Sequence, residues 1–81
     1  MNVRVQMFAR VKELAGGEVI ELSLPDGATV GDLRRDLAAK VPALTPILPH
    51  CMFAVNMEYA GDDAAIPVGA AVACIPPVSG G

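Results

Sequence analysis

Val68-Gly69-Ala70-Ala71-Val72-Ala73-Cys74-Ile75, running into Pro76-Pro77-Val78-Ser79-Gly80-Gly81, is the stretch around which the rest of the chain is ordered. Residues 68–75 carry no polar side chain. Successive strand residues face opposite sides of a sheet, so both the Val68, Ala70, Val72, Cys74 face and the Gly69, Ala71, Ala73, Ile75 face are apolar. A strand of that kind belongs in the middle of a sheet, covered or paired on both sides. Pro76 and Pro77 fix φ and lack a backbone N–H, so pairing is expected to stop there and the chain to leave stiff and extended. At about 3.3 Å per residue, 76–81 reaches about 20 Å. Gly80-Gly81 has no side chains and fits a slot too narrow for any other residue. Composition alone leaves this segment open between a frayed end, the usual state of termini, and a working finger. The rigid Pro-Pro and the lack of charged residues count against a frayed end and leave the two readings balanced.

The chain has 81 residues, enough for one domain but not two. Its hydrophobic share of 53% exceeds the about 45–50% usual for soluble domains, which predicts an apolar surface reserved for a partner. Pro42, Pro46, Pro49, Pro67, Pro76 and Pro77, with Gly61 and Gly69, break every long uncharged stretch, so no membrane span is expected. Arg4, Arg10, Lys12 and Glu13 leave no apolar leader, and a cytoplasmic location is expected. Charge is unevenly placed. All 6 cations lie at or before Lys40, whereas residues 41–81 hold only Glu58, Asp62 and Asp63, the source of the net charge of −3. With no clustered Lys and Arg, nucleic acid is excluded as a partner and a basic protein surface is favoured.

Working outward from the C-terminal strand, residues 2–8 alternate, with Val3, Val5 and Met7 on one face and Arg4, Gln6 and Phe8 on the other, the period of a half-buried strand. Residues 9–15 are helix formers stopped by Gly16-Gly17 and predict a short helix with Val11, Leu14 and Ala15 inward. Residues 18–24 alternate again, with Ile20, Leu22 and Leu24 inward, and end in the turn Pro25-Asp26-Gly27. Thr29 as N-cap and Asp32 in the first turn open a helix over 30–41, whose Val30, Leu33, Leu37, Ala38 and Val41 recur at helical spacing. Arg34, Arg35, Asp36 and Lys40 are expected to form its solvated face. Residues 42–49 predict an irregular packed crossover, 51–57 a third strand, 58–63 a turn-rich connection and 68–75 the last strand.

Side-chain chemistry has no strong candidate. Gly16-Gly17 lacks the spacing of a phosphate-binding loop. His50 and Cys51 are expected to point to opposite faces, which excludes a nucleophile–base pair. One His and two Cys are too few for a zinc site, and no metal site is expected. Cys51 and Cys74 are expected as core thiols, with a cytoplasmic setting arguing against a disulfide. Asp62-Asp63 reads as a solvated turn.

Two strands, a helix and further strands in one small domain is the order of an α+β, β-grasp (ubiquitin-like) fold: a mixed sheet with one main helix packed on it. Phe8-Ala9-Arg10-Val11-Lys12-Glu13-Leu14-Ala15-Gly16, Val55-Asn56-Met57-Glu58 and Pro76-Pro77-Val78-Ser79-Gly80-Gly81 resemble the signatures of the MoaD-type small subunit of molybdopterin synthase along the whole chain. The resemblance implies a β-grasp domain over 1–75 and an extended tail over 76–81. It implies that a MoeB-type enzyme consumes ATP to adenylate the Gly81 carboxyl, and that a sulfur donor such as a cysteine desulfurase leaves a thiocarboxylate there. No permanently bound cofactor is expected. It further implies that Pro76, Pro77, Val78, Ser79 and Gly80 insert into a MoaE-type large subunit within a heterotetramer, and that sulfur passes to cyclic pyranopterin monophosphate to build a dithiolene. Ile75 and Phe8 are the expected partner-interface residues beside the tail. Two positions depart from the pattern: many relatives have an acidic residue after the glycine matching Gly69 and an aromatic before the prolines, where this chain has Ala70 and Ile75. A Gly-Gly end also suits a carrier for another pathway or a ubiquitin-like modifier conjugated through Gly81.

Overall fold

A computed structural model describes residues 1–77. The alternation read from the N-terminus is kept: β1 (Asn2–Met7) buries Val3, Val5 and Met7 and exposes the residues between them. The short helix α1 (Ala9–Ala15) ends on Gly16, whose left-handed φ of 75 is available to glycine without a Cβ clash. β2 (Val19–Ser23) returns antiparallel to β1, pairing Val3 with Leu22 and Val5 with Ile20.

The main helix, α2 (Val30–Lys40), starts where Thr29 was expected to cap it, and a full capping box forms. The Asp32 backbone N–H donates to Thr29 Oγ1 at 3.2 Å, and the Thr29 N–H donates to the Asp32 carboxylate at 2.9 Å. Val30, Leu33 and Leu37 are fully buried against the sheet and form one cluster with Val3, Val5, Met7, Leu22, Phe53, Val72 and Cys74. After Val41 the crossover is more regular than expected: two 3-10 turns, Pro42–Leu44 and Leu48–His50, each open on or next to a proline and bury Leu44 and Leu48. Proline suits the first turn of a helix because its missing N–H would be unpaired there anyway.

The C-terminal half departs further from expectation. β3 (Met52–Val55) is shorter than 51–57 because Asn56 and Met57 turn the chain through left-handed φ values of 50 and 70. Two left-handed residues make the tight loop of a β-hairpin, and the region expected as a turn-rich connection holds β4 (Glu58–Ala60), paired Phe53 to Ala60 and Ala54 to Tyr59. The final strand is likewise shorter. Pro67 to Ala70 form a turn with Gly69 at φ 79, Val68 is exposed, and β5 spans Val72–Ile75 only.

The sheet order is β2-β1-β5-β3-β4. The apolar final strand is central, parallel to β1 (Met7 beside Cys74) and antiparallel to β3 (Met52 beside Ile75). Its backbone is paired on both edges; Val72 and Cys74 are buried in the core, while Ala73 and Ile75, on the other face, are only half-buried. A mixed five-stranded sheet with one long helix packed across one face is the expected β-grasp arrangement.

Candidate functional site

The site is assembled around the end of β5. Pairing stops at Ile75, and Pro76 and Pro77 follow outside the strand, Pro76 half-buried and Pro77 exposed. The expected tail residues Val78, Ser79, Gly80 and Gly81 lie outside the described residues. Register places Phe8 next to Ile75 on the β1 side, one step past Met7 and Cys74, and Cys51 next to Pro76 on the β3 side, one step past Met52 and Ile75. Phe8 and Ile75, singled out separately in the sequence, are therefore the residues that follow the last β1–β5 rung. Ala9, the next residue along, carries a left-handed φ of 49, an uncommon strain for a residue with a Cβ.

The sheet face away from α2 is divided. On β1 and β2 it is mostly polar, with Arg4 opposite Glu21 at 3.5 Å, Asn2 opposite Ser23, and Gln6 opposite the exposed Val19. On β5, β3 and β4 it is apolar, with Ile75 against Met52, Ala73 against Ala54, and Ala54 against Tyr59. Met52 is 52% and Tyr59 67% exposed, and with Phe8 at 41% they make an open apolar patch next to the departing chain. Adjacent exposed hydrophobics of this kind mark a contact surface. Met52 and Tyr59 were not identified from the sequence. The available signal was Asn56, a residue tolerant of left-handed turns; read as a hairpin turn it would have paired Tyr59 with Ala54.

Arg34 is a correction. It was expected on the solvated face of α2, yet its side chain is only 22% exposed. Its guanidinium donates to the carbonyls of Leu48 and Cys51, pairs with Asp62, and lies 4.9 Å from the centroid of the Phe53 ring. Asp62 and Asp63 are both exposed, as expected of turn acids, and Asp62 in addition pairs with Arg34.

The remaining candidates are inert. His50 belongs to a 3-10 turn rather than a strand and is exposed, while Cys51 is buried, so the two are separated for a different reason than strand alternation. Cys51 and Cys74 are free and buried. Burial pushes the Cys74 thiol up to about 12, with the neighbouring Cys51 adding to the rise, and burial also raises Cys51. A thiol held protonated is a poor nucleophile and a poor metal ligand. No metal-binding cluster of His, Cys, Asp and Glu occurs among the described residues, and none of their helices is long and apolar enough to cross a membrane.

The N-terminus of α2 is closed to anions as well. The Val30 and Gly31 N–H groups donate to the carbonyls of Ala64 and Asp62, each at 2.9 Å, and Thr29 takes the N–H of Asp32. Loop and helix approach so closely that a Cβ at Gly31 would sit 3.3 Å from Asp62.

Among the described residues, what stands out is the open apolar surface beside the end of β5. Residues 5–81 match the ThiS family. The molybdopterin synthase sulfur carrier subunit of Chlamydomonas reinhardtii is 41% identical over the whole of both chains. Among solved structures, the small archaeal modifier protein SAMP1 of Haloferax volcanii superposes with a TM-score of 0.87 at 30% identity over the whole of both chains. The putative molybdopterin converting factor subunit 1 of Pyrococcus furiosus gives 0.86 at 30% identity, covering 96% of this chain and 99% of its own. Fold and full-length similarity agree: this chain belongs to the ThiS family, among its MoaD-type ubiquitin-like sulfur carriers.

Proposed function

We propose that this protein is the sulfur-carrying small subunit of molybdopterin synthase, with Gly81 as the carrying residue. The observation that carries the reading is the root of segment 76–81: a central strand, paired on both sides, is stopped by two prolines beside an open apolar patch. Full-length similarity to a sulfur carrier subunit supports it.

The chemistry follows from the carboxyl group. A free α-carboxylate, with a pKa of about 3.5, is ionised at neutral pH and resists nucleophilic attack. Adenylation by a MoeB-type enzyme supplies a leaving group: the carboxylate oxygen attacks the α-phosphorus of ATP and pyrophosphate departs. The outer sulfur of a persulfide on a donor such as a cysteine desulfurase then attacks the acyl carbon, AMP departs, and a thiol reductant cleaves the resulting acyl disulfide, leaving a thiocarboxylate on Gly81. The loaded tail, residues 76–81, enters the active site of a MoaE-type large subunit, where sulfur passes to cyclic pyranopterin monophosphate. Two rounds complete the dithiolene. The buried, protonated Cys51 and Cys74 suit this role, because exposed thiolates on the carrier would compete for the activated carboxyl. Ile75, Phe8, Met52 and Tyr59 supply the apolar contact to the partner, in an assembly with two copies of each subunit.

Incubation with ATP, a MoeB-type enzyme and sulfide tests the proposal: intact mass must rise by the exchange of one oxygen for one sulfur, and an unchanged mass refutes it. Deleting Gly81 abolishes sulfur transfer and leaves the circular dichroism spectrum unaltered. Ile75→Asp weakens binding to the large subunit; equal affinity would remove Ile75 from the interface. Similarity to SAMP1 favours one second reading, conjugation of Gly81 to target lysines. Cells lacking the protein separate the two, since loss of molybdoenzyme activity supports the carrier and loss of lysine conjugates supports the modifier.

A further inference from the structure

We infer that Arg34, on the main helix, is a positioning residue for segment 76–81, a reading that rests on the carrier role proposed above. The last rung on the β3 side of β5 is Met52 with Ile75, and on the β1 side it is Met7 with Cys74. Pro76 and Pro77 bring no backbone N–H, so they cannot extend the pairing. The way Pro76 and Pro77 leave the sheet therefore depends on how firmly Ile75 is held.

Its partner Met52 is the first residue of β3 and follows directly on a 3-10 turn and Cys51. The first rung of a ladder opens most easily unless something outside the sheet ties it. Arg34 is that tie. Nη1 donates to the carbonyl of Cys51 at 2.9 Å, one residue before Met52, and to the carbonyl of Leu48 at the start of the turn. Nε and Nη2 hold Asp62 Oδ1 at 3.2 and 2.9 Å, which aims the fork. The guanidinium also lies over the ring of Phe53, one residue after Met52 and itself paired with Cys74. Residues on both sides of Met52 are thus fastened to a helix that is capped at Thr29 and anchored by the buried Leu33 and Leu37. A planar fork of five donors can span two carbonyls and a carboxylate; an ammonium cannot reproduce that spacing.

Without the tie, the Met52–Ile75 rung opens and the pivot of the chain retreats by one residue, from Pro76 to Ile75, because Cys74 is still paired with Met7. Each residue freed must be ordered again when the tail enters the partner, an effect of about tenfold in KM per residue. Sulfur transfer from the seated tail is unaffected, so kcat at saturation stays the same.

The test uses full-length Arg34→Met and Arg34→Lys beside the wild type. Amide hydrogen exchange on the free proteins is expected to accelerate at residues 52–53 and 74–75 in Arg34→Met while residues 33–37 of α2 keep their protection. Arg34→Lys, which keeps the charge and the Asp62 pair, is expected to fall between the other two. After thiocarboxylation and mixing with the large subunit, KM for the carrier should rise about tenfold in Arg34→Met with kcat unchanged. Wild-type exchange at Ile75, wild-type KM, or acceleration spread evenly over the sheet in both variants would overturn the inference. The exchange data stand apart from turnover: a wild-type chain that neither loads nor transfers sulfur refutes the carrier reading, whatever Arg34 does to the rung.

Discussion

The two flanks of β5 are held by different means. On the β1 side the ladder is long and regular, with β1 pairing β2 over the rungs from Asn2–Ser23 to Gln6–Val19 and β5 over three more. Its order comes from alternation, a glycine-ended helix and a hairpin-like return, all of which are local in sequence. On the β3 side the strands are shorter, and side chains reach over to hold backbone. Arg34 fastens the start of β3. At the other end, Asn56 fastens the start of β5: its N–H donates to the Ala71 carbonyl at 2.8 Å, and its side-chain oxygen accepts the Ala71 N–H at 3.0 Å. Both flanks pair β5 by backbone, over three rungs to β1 and four to β3; what sets apart the second, which carries the apolar patch, is that side chains of Arg34 and Asn56 also hold its backbone.

The sharpest way to break this comparison is to remove the one large side chain common to the second flank and the core. Phe53 is 1% exposed, so Phe53→Ala should cost about 4 kcal/mol in urea unfolding. A loss under about 1 kcal/mol would mean that β3 is not part of the cooperative core. Thr29→Ala removes the capping box of the helix that serves both flanks and should cost about 1 kcal/mol, seen as a lower urea midpoint at unchanged slope.

Met57→Gly acts in the opposite direction. Met57 is 95% exposed at φ 70, a conformation glycine adopts freely, so the variant should gain about 0.5 kcal/mol by relieving the hairpin turn. A destabilised variant would show that the Met57 side chain stabilises the second flank through contacts rather than straining it.

The smallest effect is electrostatic. The Thr29 backbone and side-chain hydrogen bonds, then Arg35, hold the Asp32 carboxyl below the usual carboxylate value of 3.8. A depressed folded-state pKa contributes stability above that usual value, and the contribution disappears as pH falls through the lower folded value. Asp32→Asn should therefore flatten the acid limb of the stability curve below about pH 4 and leave the alkaline limb unchanged. Urea midpoints across pH 2–7 would measure it, and an unaltered acid limb would dismiss the capping box as the source.

Legibility follows the same division. The buried faces of β1 and β2, the stop at Gly16, the cap at Thr29 and the core stripe of α2 were all visible, because each is set by residues within a few positions of one another. β4 was missed because Asn56-Met57 lacks the glycine that marks most tight hairpins, and a methionine in a left-handed conformation is tolerated only when paired strands impose it. The apolar residues 68–71 predict strand, yet Gly69 turns there and Asn56 fixes where the ladder begins. Arg34 looked solvated because a helix-surface position says nothing about carbonyls 14 and 17 residues away.

The sequence by itself determined the fold class, the central place of the last strand and the stop at Pro76-Pro77, since period-two and period-3.6 patterns and proline stereochemistry act over short range. Only the tertiary structure decided that Phe8, Met52, Tyr59 and Ile75 share one open face and that Arg34 braces its edge. Strand register and long side-chain reach bring these residues together, and neither is encoded in the spacing of the residues themselves.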